Sequence, residues 1–318
     1  MPREGGPLPY PRVTVVGAGN VGATVAELLL LHGIANVVLV DVVEGLAQGK
    51  ALDLLHARSV EKFAPTISGT TEYEATTRSD VIVVTAGLAR KPGMSRDDLL
   101  TKNREIVTGV VSEAIEFSPD AVLLCVTNPL DVMTYLSWKV SGLPDTRVIG
   151  MGGVLDSARF AFAISDATGV PVSEIRALAC GAHGDAMVPL PRFSKVRGVP
   201  LTDVVPSGSL QSLVERTVFG GAEVVSLLKS GSAFYAPAAS VVRMVRAILE
   251  DSGDILPSCV HLNGEYGISD VYMSVPARLG RAGVLAIDEL PLDAAELTAL
   301  RASAASVVQG LDALQLRG

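Results

Sequence analysis

Short apolar runs alternate with helix-length amphipathic segments through the first half of the chain. The runs are rich in Val, Ile and Leu, which is typical of strands buried on both faces of a parallel sheet. The predicted strands are 13–16, 37–40, 81–85, 121–126 and 147–149. The predicted helices between them are 21–31, 43–57, 96–117 and 130–141. Repeated strand–helix units predict an α/β fold with a doubly wound parallel sheet.

The second half of the chain has a different pattern. Apolar residues recur at helical spacing over 210–228 and 297–314, and three segments between them, 260–266, 271–275 and 283–287, are typical of strands joined by turns. This pattern predicts an α+β domain with antiparallel strands. We expect the boundary near Gly153, which gives a dinucleotide-binding domain over 1–153, with a flexible tail at 1–11, and a substrate domain over 154–318.

Composition limits the class of protein. The chain has 318 residues, of which 48% are hydrophobic and 19% charged, and this excludes a disordered chain. The net charge of −8 argues against nucleic acid as a partner. No run of about 18 uncharged apolar residues appears, so we expect no membrane span. The N-terminus lacks the apolar core of a secretory signal, and three widely spaced cysteines fit a reducing cytoplasm.

A glycine-rich sequence lies between the first predicted strand and the first predicted helix. It reads G-A-G-N-V-G from Gly17 to Gly22, and the second strand ends in Asp41, 19 residues after Gly22. Gly17 permits a tight turn, Gly19 lets the backbone approach a pyrophosphate, and Gly22 lets the helix pack closely on the strand. This pattern predicts the Rossmann arrangement, with NAD as the cofactor. Asp41 would accept hydrogen bonds from the ribose hydroxyls and repel the 2′-phosphate of NADP. The predicted cofactor-binding residues here are Gly17, Ala18, Gly19, Asn20, Val21, Gly22 and Asp41.

Four polar segments fall at predicted strand ends, where α/β sheets bind ligands. They are TAGLARKPGMSR at 85–96, VTNP at 126–129, LDSAR at 155–159 and GAHGD at 181–185. In this order they resemble the lactate/malate dehydrogenase superfamily, and within it the malate dehydrogenases that are closely similar to lactate dehydrogenases. The resemblance extends from about Arg12 to the C-terminus. It implies hydride transfer between NAD and C2 of a 2-hydroxy acid, here the reversible oxidation of (S)-malate to oxaloacetate, a reaction of the tricarboxylic acid cycle.

The resemblance also implies a role for each polar residue. His183 would accept and return the hydroxyl proton, paired with Asp156, because an imidazole with an ordinary pKa near 6.5 works in both directions. Arg159 would bind the C1 carboxylate as a bidentate fork. Arg96 would polarise the C2 carbonyl, and Asn128 would donate a hydrogen bond to the same oxygen. Further cofactor-binding residues implied by the resemblance are Thr85, Ala86, Gly87, Asn103, Val126, Thr127 and Asn128.

Arg90 is the residue that indicates which substrate the protein uses. The resemblance implies that 87–98 is a lid that closes on the substrate, which would bring Arg90 to the second carboxylate of oxaloacetate or malate. Lactate dehydrogenases resemble this loop but carry an uncharged residue, usually Gln, at this position. The sequence therefore favours malate, and the alternative is a lactate or broad 2-hydroxy acid dehydrogenase.

Other interpretations are weaker. Tyr135 and Lys139 form the Y-x-x-x-K pair of short-chain dehydrogenases, but the cofactor loop and the upstream serine of those enzymes are missing. A regulatory protein that binds NAD without catalysis would be expected to lack His183 or Arg159. Cys180 and His183 have a C-x-x-H spacing with no second ligand pair, so we expect no metal. The family resemblance implies a homo-oligomer, which we expect to be a homotetramer, with a dimer as the alternative.

Overall fold

The computed structural model describes residues 10–88 and 96–317, with the backbone alone at Arg96 and Asp97. The strands in these residues are β1 (Arg12–Val16), β2 (Asn36–Val40), β3 (Ile67–Thr70), β4 (Val81–Val84), β5 (Val122–Cys125), β6 (Val148–Gly150), β7 (Ile175–Arg176), β8 (Ala179–Gly181), β9 (Met187–Pro189), β10 (Lys195–Val196), β11 (Val199–Pro200), β12 (Ile255–Asn263), β13 (Ser269–Gly280) and β14 (Gly283–Ile287). The helices are α1 (Asn20–Leu31), α2 (Leu46–Glu61), α3 (Arg96–Phe117), α4 (Leu130–Ser141), α5 (Gly153–Thr168), α6 (Leu201–Val204), α7 (Ser207–Leu228), α8 (Tyr235–Leu249) and α9 (Ala294–Ala313).

The first half of the chain forms the predicted parallel sheet. Its strand order is β3-β2-β1-β4-β5-β6, with every neighbouring pair parallel. The apolar residues of β1, β2, β4 and β5 are buried, because helices cover both faces of the sheet. The order of the strands reverses between β1 and β4, where a crevice opens at their carboxyl ends. The predicted Rossmann arrangement is confirmed.

The second half continues the same sheet with antiparallel strands. β12 pairs with β6 through Cys259 and Gly150, and β13, β14, β8 and β9 follow. A small separate sheet contains β11, β10 and β7. The predicted α+β class is therefore confirmed. The first residue of α5 is Gly153, but the hydrogen bonds of the sheet cross this point, and the division into two domains stays a prediction.

Several predicted elements have different limits in the structure. The helix predicted over 43–57 begins at Leu46, since Gly45 has a positive φ of 81°, and it continues to Glu61. The strand predicted over 260–266 ends at Asn263, because the chain turns at Tyr266 with φ 56°. β3 was not predicted, since only the first of its four residues is buried and the others are polar or glycine.

Candidate active site

The glycine-rich loop joins β1 to α1 at the crevice between β1 and β4. Gly17 has φ 105°, and a β-carbon there would lie 2.7 Å from the amide nitrogen of Ala86. A β-carbon on Gly22 would overlap the carbonyl oxygen of Gly17. Gly19 differs, because nothing lies within 4 Å of its missing β-carbon. The fold thus requires glycine at 17 and 22, whereas glycine at 19 leaves an open surface for a ligand.

The N-terminus of α1 is open to an anion. The helix begins at Asn20, and its N-cap is Gly19, which has no side chain to bind the first N–H groups. Asn20 is exposed and Val21 is half-buried. Free N–H groups at a helix N-terminus are suited to bind phosphate, and pyrophosphate binding by this loop stays a prediction.

Asp41 and Lys50 hold the peptide groups of Ala18. The Asp41 carboxylate accepts hydrogen bonds from the N–H groups of Ala18 at 2.7 Å and Val43 at 2.9 Å. Lys50 Nζ donates to the Ala18 carbonyl oxygen at 2.7 Å. Each carboxylate oxygen of Asp41 has a further lone pair for a ribose hydroxyl. Sequence reasoning missed Lys50, because a single lysine within a predicted helix carries no signal of this contact.

A cleft of about 910 Å³ lies beside the loop. Its volume falls within the range of ligand pockets. Its lining includes six of the predicted cofactor residues, Gly17, Gly19, Asp41, Thr85, Ala86 and Gly87.

The loops that follow β4 and β5 are tied together by hydrogen bonds. Thr85 Oγ1 donates to the Gly17 carbonyl oxygen at 3.0 Å, and Thr127 Oγ1 donates to the Ala86 carbonyl oxygen at 2.7 Å. Val126 lies buried just before Thr127, with 8% of its surface exposed. These contacts fix one wall of the cleft.

Asn103 of α3 is buried and binds backbone groups on both loops. Its Oδ1 accepts the N–H of Leu88 at 2.8 Å, and its Nδ2 donates to the carbonyl oxygen of Asn128 at 2.7 Å. The side chain of Asn128 is exposed, next to a cis peptide bond with Pro129. Asn103 therefore sets the position of Asn128 and of the chain that leads toward residue 89.

His183 and Asp156 meet at the carboxyl end of β8. His183 Nδ1 lies 3.0 Å from Asp156 Oδ2, and Asp156 Oδ1 lies 3.4 Å from Arg159 Nη1. Asp156 and Arg159 lie one turn apart on α5, and Asp156 is 1% exposed. The structure thus brings three of the predicted site residues together around one carboxylate.

Asp131 is a second buried carboxylate beside His183. On α4, its Oδ2 accepts the backbone N–H of His183 at 2.8 Å, and its Oδ1 accepts from Cys259 Sγ at 3.3 Å. Burial raises the pKa of Asp131 to about 6, although the nearby His183 opposes this shift. Sequence reasoning missed this residue. The available signal was an acidic residue in the first turn of the helix predicted over 130–141.

The two carboxylates determine the charge of the His183 imidazole. Burial lowers the pKa of His183, but attraction to Asp156 and the hydrogen bond with it act in the opposite direction. Asp131 adds a smaller attraction, and the net pKa of His183 is raised above its ordinary value. The protonated imidazolium is therefore stabilised in the site.

Two predicted substrate residues are not placed. Arg90 lies in 89–95, outside the described residues. Arg96 is the first residue of α3, and the structure describes its backbone but not its side chain. Their roles stay predictions.

The Tyr135 and Lys139 pair has a structural explanation. The Tyr135 hydroxyl donates to Asp270 Oδ1 at 2.9 Å, in a buried position on α4. Lys139 Nζ lies 4.2 Å from the ring centroid of Trp138 and 5.2 Å from that of Tyr135. The ammonium group packs over the two rings, and the hydroxyl of Tyr135 bonds elsewhere, so the pair does not form an acid–base site.

Three further observations concern metal binding, membrane spans and the cysteines. Across residues 10–88 and 96–317, no group of three or more His, Cys, Asp or Glu side chains could hold a metal ion. None of the helices in this part of the chain is long and apolar enough to cross a membrane. Cys125, Cys180 and Cys259 are all buried and free.

A glycine-rich loop at a helix N-terminus, together with a histidine paired to a buried carboxylate, is the arrangement expected of a dehydrogenase that uses a nicotinamide cofactor. Residues 11–150 match the model for the lactate/malate dehydrogenase NAD binding domain, and residues 153–313 match the model for the alpha/beta C-terminal domain of the same family. The chain belongs to the lactate/malate dehydrogenase family.

Known relatives give the same result. The chain is 54% identical over 301 residues to a malate dehydrogenase from Synechocystis sp., a match that covers 95% of this chain and 93% of the relative. The crystal structure of Cryptosporidium parvum malate dehydrogenase superposes with a TM-score of 0.94 at 39% identity, covering 97% of this chain and 100% of that one. A lactate dehydrogenase from the same organism, complexed with lactic acid and NAD, has a TM-score of 0.93 at 36% identity, with 98% and 100% covered.

Proposed function

We propose that this protein is an NAD-dependent malate dehydrogenase, which interconverts (S)-malate and oxaloacetate by hydride transfer. The observation that carries this proposal is the 3.0 Å contact between His183 Nδ1 and Asp156 Oδ2, at the carboxyl ends of the strands. Malate dehydrogenases that are 54% and 48% identical in sequence to this chain support it. The reaction is one of the tricarboxylic acid cycle.

His183 carries out the acid–base step. Because Nδ1 faces Asp156, Nε2 is the nitrogen that takes the hydroxyl proton of malate and returns it to oxaloacetate. NAD, when bound, supplies the hydride acceptor at its nicotinamide ring. Asp156 holds the tautomer and stabilises the imidazolium, and its buried position makes this interaction strong.

Arginines bind the substrate in this proposal. Arg159 pairs with the C1 carboxylate through two N–H groups. Arg96 and Asn128 stabilise the C2 oxygen, where negative charge develops during reduction. Arg90 pairs with the C4 carboxylate, which pyruvate and lactate lack.

The cofactor residues are those of the two loops and the cleft wall. The open N-terminus of α1 supports a pyrophosphate position over Gly17 to Gly22. Asp41 binds the ribose hydroxyls and selects NAD over NADP. The residues that contact the remainder of the cofactor are Thr85, Ala86, Gly87, Asn103, Val126, Thr127 and Asn128.

Steady-state assays of the wild-type protein separate malate from lactate dehydrogenase activity. NADH oxidation is followed by absorbance with oxaloacetate and with pyruvate, side by side. We expect kcat/KM for oxaloacetate to exceed that for pyruvate by at least about 100-fold, since only oxaloacetate has a partner for Arg90. Equal values, or a preference for pyruvate, would establish the alternative.

The assembly we propose is a homotetramer in the cytoplasm, with a dimer as the alternative. Exposed large apolar side chains support contacts between copies of the chain, because they occur on neighbouring helices. They include Phe162 of α5, Phe219 and Leu227 of α7 and Tyr235 of α8. Three free thiols fit a reducing compartment. Light scattering tests the assembly, and a mass of 33.0 kDa would contradict any oligomer.

A further inference from the structure

The guanidinium group of Arg159 lies near both the carboxylate of Asp156 and the backbone of Gly221, a helix position without a side chain. Arg159 Nη1 is 3.4 Å from Asp156 Oδ1, and 20% of the arginine side chain is exposed. A β-carbon built on Gly221 of α7 would lie 3.3 Å from Arg159 Nη2, 3.5 Å from Cζ and 3.5 Å from Nη1. The backbone of α7 therefore forms part of the wall that holds the guanidinium.

We propose that Gly221 is a positioning residue, which determines where Arg159 presents its two N–H groups to the C1 carboxylate of the substrate. The inference rests on the role of Arg159 in the proposed function. A β-carbon contact of 3.3 Å is tighter than nine in ten real ones, so a methyl group at 221 would move the guanidinium by a few tenths of an ångström. A bidentate pair with a carboxylate depends on both N–H groups reaching both oxygens, so it is sensitive to such a shift.

The backbone gives no other reason for glycine at this position. Gly221 lies inside α7 (Ser207–Leu228), and it is not among the glycines with positive φ. In the interior of a helix, glycine is less favourable than alanine. The fold thus loses stability by having glycine at 221, and the space for Arg159 is what the glycine provides.

Gly221→Ala tests the proposal directly. A displacement of about 1 Å at a binding group costs on the order of 100-fold. For the smaller shift of a few tenths of an ångström, we expect KM for oxaloacetate to rise about 5- to 20-fold. kcat should fall less than KM rises, since the carboxylate is bound in both the ground state and the transition state. The dissociation constant of NADH should change less than about twofold, and the melting temperature should stay equal or rise. A purely structural defect would lower the melting temperature instead.

The neighbouring glycine offers a matched control. A β-carbon on Gly220 would lie 3.7 Å from Arg159 Cδ, which is an ordinary van der Waals distance. Gly220→Ala adds the same methyl group to the same helix without displacing the arginine. Its KM should stay within about twofold of the wild-type value, while the gain in helix propensity is similar. Gly208→Ala, at an exposed position of α7 with nothing within 4 Å, serves as a second control.

A double substitution shows whether the effect passes through Arg159. In an Arg159→Lys background there is no guanidinium to displace, so Gly221→Ala should change KM less than about twofold. The proposal is overturned if Gly221→Ala keeps the wild-type KM, or if it has the same effect in both backgrounds. If the wild-type protein turns over pyruvate rather than oxaloacetate, the malate assignment fails. The role of Gly221 is then tested by measuring the same variants with pyruvate, because pyruvate has the same C1 carboxylate as oxaloacetate.

Discussion

The Asp156 carboxylate lies 3.0 Å from His183 Nδ1 and connects α5 with the turn after β8. This contact is the main reason that the pKa of His183 is raised although the imidazole is buried. Since the folded state binds this proton more tightly than the unfolded state, the contact stabilises the fold most below the ordinary pKa of histidine, near 6.5. That contribution is lost as the pH rises through the raised pKa of His183.

Asp156→Asn should therefore shift a pH profile in a known direction. Without the carboxylate, burial dominates and the pKa of His183 falls. Oxaloacetate needs the imidazolium, so the alkaline limb of kcat/KM for oxaloacetate should move to lower pH. We expect kcat to fall by about 100-fold or more as well, because an amide does not hold the required tautomer. Asp166→Asn, at an exposed position on the same helix, is the control, and an unmoved limb in Asp156→Asn would contradict the assignment.

Asp131 should matter for stability as well as for the site. Its carboxylate binds the His183 N–H and the Cys259 thiol, so Asp131→Ala leaves two donors without their acceptor. We expect the free energy of unfolding, measured in urea at pH 7.5, to fall by about 1–3 kcal/mol. Asp120→Ala removes a fully exposed carboxylate and should change it by less than about 0.5 kcal/mol. Equal small effects for the two variants would show that the buried contacts contribute little.

Replacement of Asp41 should change cofactor choice. Asp41→Ser removes the charge that repels a 2′-phosphate, so the ratio of kcat/KM for NAD to that for NADP should fall at least about tenfold. Affinity for NAD should also decrease, because the N–H groups of Ala18 and Val43 lose their acceptor. Asp53→Ser, at an exposed position on α2, should leave the ratio unchanged. If both variants keep the wild-type ratio, Asp41 does not select the cofactor.

Local signals explain which elements were predicted accurately. α4 was predicted over 130–141 and has these limits, because Pro129 precedes it and Gly142 ends it with a positive φ of 65°. β3 lacked such a signal, since its sequence ISGT has little apolar character and its pairing with β2 depends on a distant segment.

The same distinction applies to the site. His183, Asp156 and Arg159 were predicted through the motifs that contain them. Asp131 contacts His183, and Gly221 lies against Arg159, although more than 50 residues separate the two members of each pair in the chain. Contacts of this kind follow from the packing of separate helices and loops, and no local pattern contains them.

Arg90 should determine the substrate. The C4 carboxylate of oxaloacetate must be paired inside a dry site, so Arg90→Gln should cost about 2–5 kcal/mol of transition-state binding for oxaloacetate. This corresponds to about 30- to 4,000-fold in kcat/KM, and the value for pyruvate should rise. Lys91→Gln removes a neighbouring positive charge and should leave the oxaloacetate-to-pyruvate ratio nearly unchanged. If Arg90→Gln keeps the wild-type ratio, another residue sets the specificity.

The most direct test of the proposed reaction is the turnover of His183→Asn beside its affinity for NADH. We expect kcat for oxaloacetate reduction to fall by about 10²–10⁴, the usual contribution of a positioned acid–base group. The dissociation constant of NADH, measured by fluorescence titration, should stay within about twofold of the wild-type value, because the cofactor residues lie on other loops. His32→Asn, at an exposed position after α1, should leave both values unchanged. A His183→Asn enzyme with near-normal kcat would show that this histidine does not transfer the proton.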